Sequence, residues 1–257
     1  MTGARILICD PIAQEGIDLL AGYGEVDVRL GLSPQELCSV VGEYDALVVR
    51  SETQVTADVV EAGTRLQVIG RAGVGVDNID LQAATRRGIV VVNAPTGNTI
   101  SAAEHTVGLM LALARHIPQA DASLKQGQWN RREYIGVELR GKTLGVLGLG
   151  QVGSEVARRG RGLEMRVIAH DPFVPEERAR VLGVELVSFE ELLRQSDFLT
   201  VHTTLTQGTR GLIGKKELGR MKATARVINT AQGGIVDEKA LYEAVESGRI
   251  AGAAVDV

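Results

Sequence analysis

The residues whose spacing speaks most directly of chemistry are Gly148, Gly150 and Gly153, in the string Gly148-Leu-Gly-Gln-Val-Gly153. An apolar run, Thr143–Leu147, precedes them, and a helix-compatible run, Ser154–Gly162, follows. In that setting the first glycine makes a tight turn, the second lets backbone approach a pyrophosphate, and the third lets helix pack on strand. The helix N-terminus then offers free N–H groups and a positive dipole to the phosphates. Asp171 stands eighteen residues beyond Gly153, just past the next strand candidate, Met165–Ala169. A carboxylate there accepts from a ribose 2′-hydroxyl and repels a 2′-phosphate, so the spacing predicts a dinucleotide site for NAD rather than NADP. Arg158, Arg159 and Arg161 fall on the helix and read as a solvated face.

Other candidates carry less. The stretch Arg71-Ala-Gly-Val-Gly-Val76 follows a strand candidate but lacks a third glycine. It is either a close backbone approach to a ligand or a plain strand-to-helix turn. The four histidines, His105, His116, His170 and His202, do not cluster, and no metal site is expected. His105 and His116 read as packing or surface residues on a helix; His202 ends a strand near the expected cofactor. Cys9 and Cys38 are 29 residues apart with no CxxC spacing, so a disulfide framework is not expected and a reducing cytoplasm fits best.

Such a turn needs a sheet and helices to hold it. Strand candidates in the first part are Arg5–Cys9, Val26–Leu30, Ala46–Arg50, Gln67–Gly70 and Ile89–Asn93, with helix candidates at Gln14–Ala21, Pro34–Val41 and Leu81–Arg86 between them. A long helix is expected over Thr99–Arg115, with Ala102, Leu109 and Leu113 on one stripe. A second series of strands follows at Thr143–Leu147, Met165–Ala169, Phe198–His202, Arg226–Asn229 and Ala251–Val257. Strand and helix in alternation predict an α/β protein of two Rossmann-like, doubly wound parallel-sheet domains with a cleft between them. The expected domains are residues 1–97, flavodoxin-like and substrate-binding, and residues 98–257, NAD-binding.

Composition agrees with that class. The 257 residues are 44% hydrophobic and 23% charged, and the 3% of aromatics leaves a core of Val, Ile, Leu and Ala. The net charge of -4 argues against a nucleic-acid or anionic-membrane partner. No run approaches the ~18 consecutive apolar residues of a membrane span. No signal peptide is expected, because the chain opens on a strand-like run without a basic n-region.

Several longer strings coincide with these motifs: Val49-Arg-Ser-Glu-Thr53, Gly70–Asp80, Asn93–Thr106, Thr209–Gly214 and Asn229–Glu238. Together with the glycine fingerprint they resemble the D-2-hydroxyacid dehydrogenase family, from the first strand to the last residue, and most closely its phosphoglycerate-oxidising branch. The resemblance implies oxidation of 3-phosphoglycerate to 3-phosphohydroxypyruvate, the first committed step of serine synthesis, with the substrate in the interdomain cleft. It implies Arg50, Ser51 and Asn98 as substrate contacts, with Arg131 or Arg132 at the phosphate end; a planar guanidinium suits both anionic groups. Implied cofactor contacts are Val74, Gln151, Val152, Asp171, Thr203, Thr230, Ala231, Gln232 and Asp256. It also implies a homodimer or higher homo-oligomer, paired through the long helix and the loop around Trp129; without it Trp129 reads as an ordinary buried aromatic.

The pattern departs from the family at one catalytic position. The family reaction passes a hydride from substrate C2 to nicotinamide, with a histidine taking the proton, a glutamate supporting it and an arginine clamping the carboxylate. Gln232 stands where the resemblance puts that arginine, and the glutamate and histidine are expected beyond Val257, together with a last strand and a segment returning to the first domain. The expectation is an impaired dehydrogenase. The competing expectations are a non-catalytic NAD-binding sensor or partner subunit, and a dehydrogenase for another 2-hydroxy or 2-oxo acid.

Overall fold

Short apolar runs separated by helix caps and glycine turns build two parallel sheets in this computed structural model, which describes residues 3–257. The chain divides into two compact units, the first running to Asn98 and the second Thr99–Val257.

The first unit alternates β1 (Ala4–Ile8), α1 (Gln14–Ala21), β2 (Gly24–Val28), α2 (Pro34–Val40), β3 (Ala46–Val49), α3 (Ala57–Ala62), β4 (Val68–Arg71), α4 (Leu81–Arg86) and β5 (Val90–Asn93). Its five strands lie in the order β2-β1-β3-β4-β5, all parallel, which is the flavodoxin-like winding. Leu7, Leu47, Val49 and Ile69 fill its core with Tyr44 and Leu37. Ser33 and Glu36 close a reciprocal capping box at the start of α2, and Asp80 accepts from Ala83 N at the start of α4. Each such cap is worth about 1 kcal/mol. The second strand runs two residues earlier than the apolar pattern suggests. Its extent is set by pairing with β1, from Ala4 opposite Gly24 to Ile8 opposite Val28. A Cβ on Gly24 would stand only 2.0 Å from Ala4 O, and the Val28 and Leu30 side chains are exposed.

The second unit begins with α5 (Thr99–Arg115) and α6 (Ile117–Lys125), broken apart at His116, whose backbone is left-handed (φ 53°). It continues with β6 (Thr143–Leu147), α7 (Gln151–Gly162), β7 (Arg166–His170), α8 (Glu176–Val181), β8 (Glu185–Leu186), α9 (Phe189–Gln195), β9 (Phe198–Val201), α10 (Lys215–Leu218), β10 (Arg226–Asn229), α11 (Glu238–Glu246) and β11 (Gly252–Val255). The six strands are parallel in the order β11-β10-β9-β6-β7-β8. Counted from β6 this is the Rossmann order, and the winding reverses between β6 and β9. Alternate residues feed cores on opposite faces: Leu147, Leu199, Val201 and Val227 on one, Leu144, Val146, Phe198 and Ile228 on the other. Each fully buried Leu, Val or Phe contributes roughly 1.5–3 kcal/mol of transfer free energy, which holds the strand ends in place.

Two local expectations are corrected. The buried stripe of α5 is Thr99, Ala103, Thr106, Met110 and Ala114, while Ala102, Leu109 and Leu113 are only partly covered. The two stripes lie side by side on a helix whose apolar residues cover more than one face, and contact with β10, β11 and α7 selects the first. The helix after the glycine turn starts at Gln151, three residues before Ser154, so Gly153 lies within its first turn.

Candidate cofactor and substrate residues

The β6–α7 turn is shaped by contacts that only glycine permits. Gly148 has φ 90°, and a Cβ there would lie 2.8 Å from His202 C and Thr203 N. A Cβ on Gly153 would stand 2.0 Å from Gly148 O. Both positions are therefore closed by the protein's own packing. Gly150 differs: its backbone is extended (φ −72°, ψ −154°), and a Cβ would meet no protein atom within 4 Å. Neither packing nor backbone demands glycine there, which fits a residue kept small so that a ligand's phosphates can approach. Gly150 is also the N-cap of α7, and no side chain caps that helix end. The first-turn N–H groups of Gln151 and Val152 thus suit an anion.

Asp171 follows β7 directly. One carboxylate oxygen accepts from Leu149 N at 2.8 Å and the other from Phe173 N at 2.9 Å. These bonds fix the carboxylate beside the glycine turn, and each oxygen keeps a lone pair for a ribose hydroxyl. Thr203 follows β9, with its backbone N against Gly148. His202 pairs through Nε2 with Thr200 Oγ1 at 2.7 Å, and burial pushes its pKa down to about 4, so the ring is neutral near pH 7.

At the end of β10, Asn229 organises the next turn, accepting from Ala231 N at 3.1 Å and donating to Gln232 O at 3.1 Å. Thr230 Oγ1 meets Thr106 Oγ1 at 2.7 Å. Gln232 Oε1 accepts from Leu205 N at 2.7 Å, an acceptor role that no arginine could fill. Asp256 follows β11, donates its N–H to Asn229 O, and faces His105 Nε2 at 3.3 Å. Gly148, Gly150, Gly153, Asp171, Thr203, Thr230 and Asp256 therefore all lie at the C-terminal ends of strands in one sheet, where open α/β sheets take ligands. Thr106 and His105 were not among the expected site residues. Their signal in the sequence was the Asn93–Thr106 string alone, since α5 also carries Thr99, Ser101, Glu104 and Arg115 and polarity does not single them out.

In the first unit, Arg50 and Ser51 project from the loop after β3, both exposed. The loop hangs on two buried groups. Asp10 accepts from Thr53 Oγ1 at 2.6 Å and from the backbone N–H of Arg50 and Thr53, while Asn78 Nδ2 donates to Arg50 O at 2.8 Å and Thr53 O at 2.6 Å. Val74 is exposed after β4, its carbonyl accepting from Asn93 Nδ2 at 2.6 Å. Between β4 and α4, a Cβ on Gly73 would collide with the Arg71 guanidinium, 1.4 Å from Nη1. Asn98 is exposed before α5.

Arg131 and Arg132 are exposed between α6 and β6, Arg131 lying over the Trp129 ring at 5.8 Å. Arg131, Trp129, Tyr134 and Arg115 line a cavity of about 540 Å³ to which no residue of the glycine turn contributes. Trp129 is 72% exposed, which corrects the reading of a buried aromatic. Among the described residues there is no group of three or more His, Cys, Asp or Glu placed to hold a metal ion, and no helix is long and apolar enough to cross a membrane.

Rossmann winding, an uncapped glycine turn and an acidic residue after the second strand define a dinucleotide-binding α/β protein. Residues 107–257 match the family model for the NAD-binding domain of D-isomer specific 2-hydroxyacid dehydrogenases, and the chain belongs to that family. It is 58% identical to D-3-phosphoglycerate dehydrogenase of Archaeoglobus fulgidus over 254 residues, 98% of this chain and 48% of that protein. It is 52% identical to D-3-phosphoglycerate dehydrogenase of Synechocystis over 256 residues, 100% of this chain and 46% of that protein. The chain thus spans about half the length of these curated relatives. Among solved structures, the TT0316 protein of Thermus thermophilus superposes with a TM-score of 0.91 at 36% identity, covering 98% of this chain and 81% of that one. A glyoxylate reductase from Paecilomyes thermophila superposes with a TM-score of 0.88 at 32% identity, covering 100% and 82%. The cofactor is accordingly NAD.

Proposed function

We propose that this chain carries the NAD-binding and substrate-contacting apparatus of a D-3-phosphoglycerate dehydrogenase, oxidising 3-phosphoglycerate to 3-phosphohydroxypyruvate on the route to serine. The relatives bearing that name match nearly the whole chain, and the observation that carries the cofactor half is Asp171, fixed by two backbone N–H groups beside an uncapped glycine turn. Bound NAD supplies the hydride acceptor. The chain's own residues bind and orient. Gly150, Gln151 and Val152 receive the pyrophosphate at the turn that Gly148 and Gly153 shape, Asp171 the adenosine ribose, and Thr203, Thr230, Ala231, Gln232 and Asp256 the nicotinamide half, with Val74 as a further contact. Arg50, Ser51 and Asn98 hold the three-carbon acid, and Arg131 or Arg132 its phosphate. In this reading residues 1–97 form the substrate-binding domain and 98–257 the NAD-binding domain.

The partner is a second copy of the chain. The exposed Trp129 and Ile135 beside the 540 Å³ cavity support pairing through that face. The place of action is the cytoplasm; Cys9 and Cys38 are both free thiols, as a reducing compartment maintains them.

The test is a fluorescence titration of NADH and NADPH, with binding of 3-phosphohydroxypyruvate and of unphosphorylated 2-oxo acids to the NADH-loaded chain followed in the same samples. The expected result is tighter binding of NADH than NADPH, lost by about tenfold or more in Asp171→Ala as charge-assisted bonds go, and preference for the phosphorylated acid. Preference for NADPH, or for an unphosphorylated acid, would overturn the assignment.

A further inference from the structure

The contacts of α5 with the ends of β10 and β11 fix which way a hydrogen-bonding hydroxyl points. Thr106 is 1% exposed, and its Oγ1 lies 2.7 Å from Ala102 O. A carbonyl oxygen only accepts, so the single hydroxyl hydrogen of Thr106 is committed to Ala102. The 2.7 Å contact between Thr106 Oγ1 and Thr230 Oγ1 must then be donated by Thr230. Thr230 is left with lone pairs alone for any further partner. The neighbouring strand ends in a second acceptor, the Asp256 carboxylate, braced by His105 Nε2 at 3.3 Å on the same helix.

The place of these acceptors in the sheet says which half of the crevice they lie in. Asp171 lies after β7, on one side of β6 and its glycine turn; β9, β10 and β11 lie on the other. With strands about 4.8 Å apart, the ends of β10 and β11 are about 10 and 14 Å from β6, within the half of the crevice that takes the nucleoside remote from the adenosine. That nucleoside carries a carboxamide, whose NH2 is a donor.

We infer that Thr106 is a positioning residue: by holding the Thr230 hydroxyl as an acceptor, it makes this end of the site select the nicotinamide carboxamide and reject its carboxylate analogue. The inference rests on the NAD reading above, with Thr230 and Asp256 on the nicotinamide side. Replacing Thr106 by valine keeps the shape and frees the Thr230 hydroxyl to donate.

The experiment titrates three ligands, NAD, ADP-ribose and nicotinate adenine dinucleotide, into the unaltered chain, Thr106→Val and Thr106→Ser. The unaltered chain is expected to prefer NAD over the nicotinate form. In Thr106→Val, NAD should weaken about fivefold, the equivalent of one ordinary hydrogen bond. ADP-ribose, which has no carboxamide, should bind unchanged, and the NAD-to-nicotinate preference should narrow. Thr106→Ser, which keeps the hydroxyl, should restore the original pattern. Equal weakening of NAD and ADP-ribose, an unchanged preference in Thr106→Val, or failure of Thr106→Ser to restore it would overturn the inference while leaving the NAD reading intact. Failure of the unaltered chain to bind either NAD or ADP-ribose would overturn both.

Discussion

Two side chains show how a residue's role is decided by its partner. Gln232 occupies the position where the family resemblance expects an arginine, yet its Oε1 accepts from Leu205 N at 2.7 Å and ties the β10 turn to the loop after β9. Gln232→Arg introduces a donor-only side chain and leaves that N–H unanswered, so a loss of about 1 kcal/mol is expected. Gln232→Glu keeps an acceptor and should stay near the unaltered chain; urea midpoints for the two variants check this. His202 gives a pH dependence. Its folded pKa of about 4 lies below the ordinary 6.5, so between those values the unfolded chain binds more protons than the folded one. Stability is therefore full above about pH 6.5 and falls as pH drops towards 4, by on the order of 3 kcal/mol. Thermal midpoints from pH 7 to 5 should fall further in the unaltered chain than in His202→Gln, which keeps a partner for Thr200 without the titrating ring. Parallel curves would remove His202 from the account.

At the scale of elements, function depends on loops held by groups buried behind them. The Arg50–Thr53 loop has no regular structure of its own, but Asp10, 2% exposed, takes three hydrogen bonds from it, and Asn78 gives two. Asp10→Ala removes the acceptor for three donors at once. The expected loss is about 2–4 kcal/mol, with faster amide exchange at Arg50 and Thr53 than at β3. Thr53→Val removes only one of the three bonds and should cost about 1 kcal/mol. Equal protection of the loop in Asp10→Ala and the unaltered chain would show that Asn78 alone suffices. α5 does the same for the second unit, supporting the ends of β10 and β11 through Thr106 and His105.

At the scale of the whole molecule, self-association is the open prediction. Trp129→Ala and Ile135→Asp should convert the dimer expected in sedimentation velocity to monomer, because each removes apolar area from an exposed patch rather than from a core. An unaltered monomer at all concentrations would overturn the pairing. The sequence by itself determined the alternation of strand and helix, the glycine turn and Asp171, because backbone sterics and local spacing act over a few residues and leave a periodic trace. It also placed most strand ends within one residue, while β2 is displaced by two at both ends because an edge strand stops where its neighbour's pairing stops. Only the tertiary structure decided which stripe of α5 is buried, which acceptor faces Leu205 N, and which hydroxyl donates to which. Thr106 and Thr230 are 124 residues apart, and Asp10 and Thr53 are 43 apart. Contacts of that kind have no period to betray them: they exist because two parallel sheets bring distant strand ends and one helix face together, and the direction of a hydroxyl follows from the last acceptor in the chain of bonds.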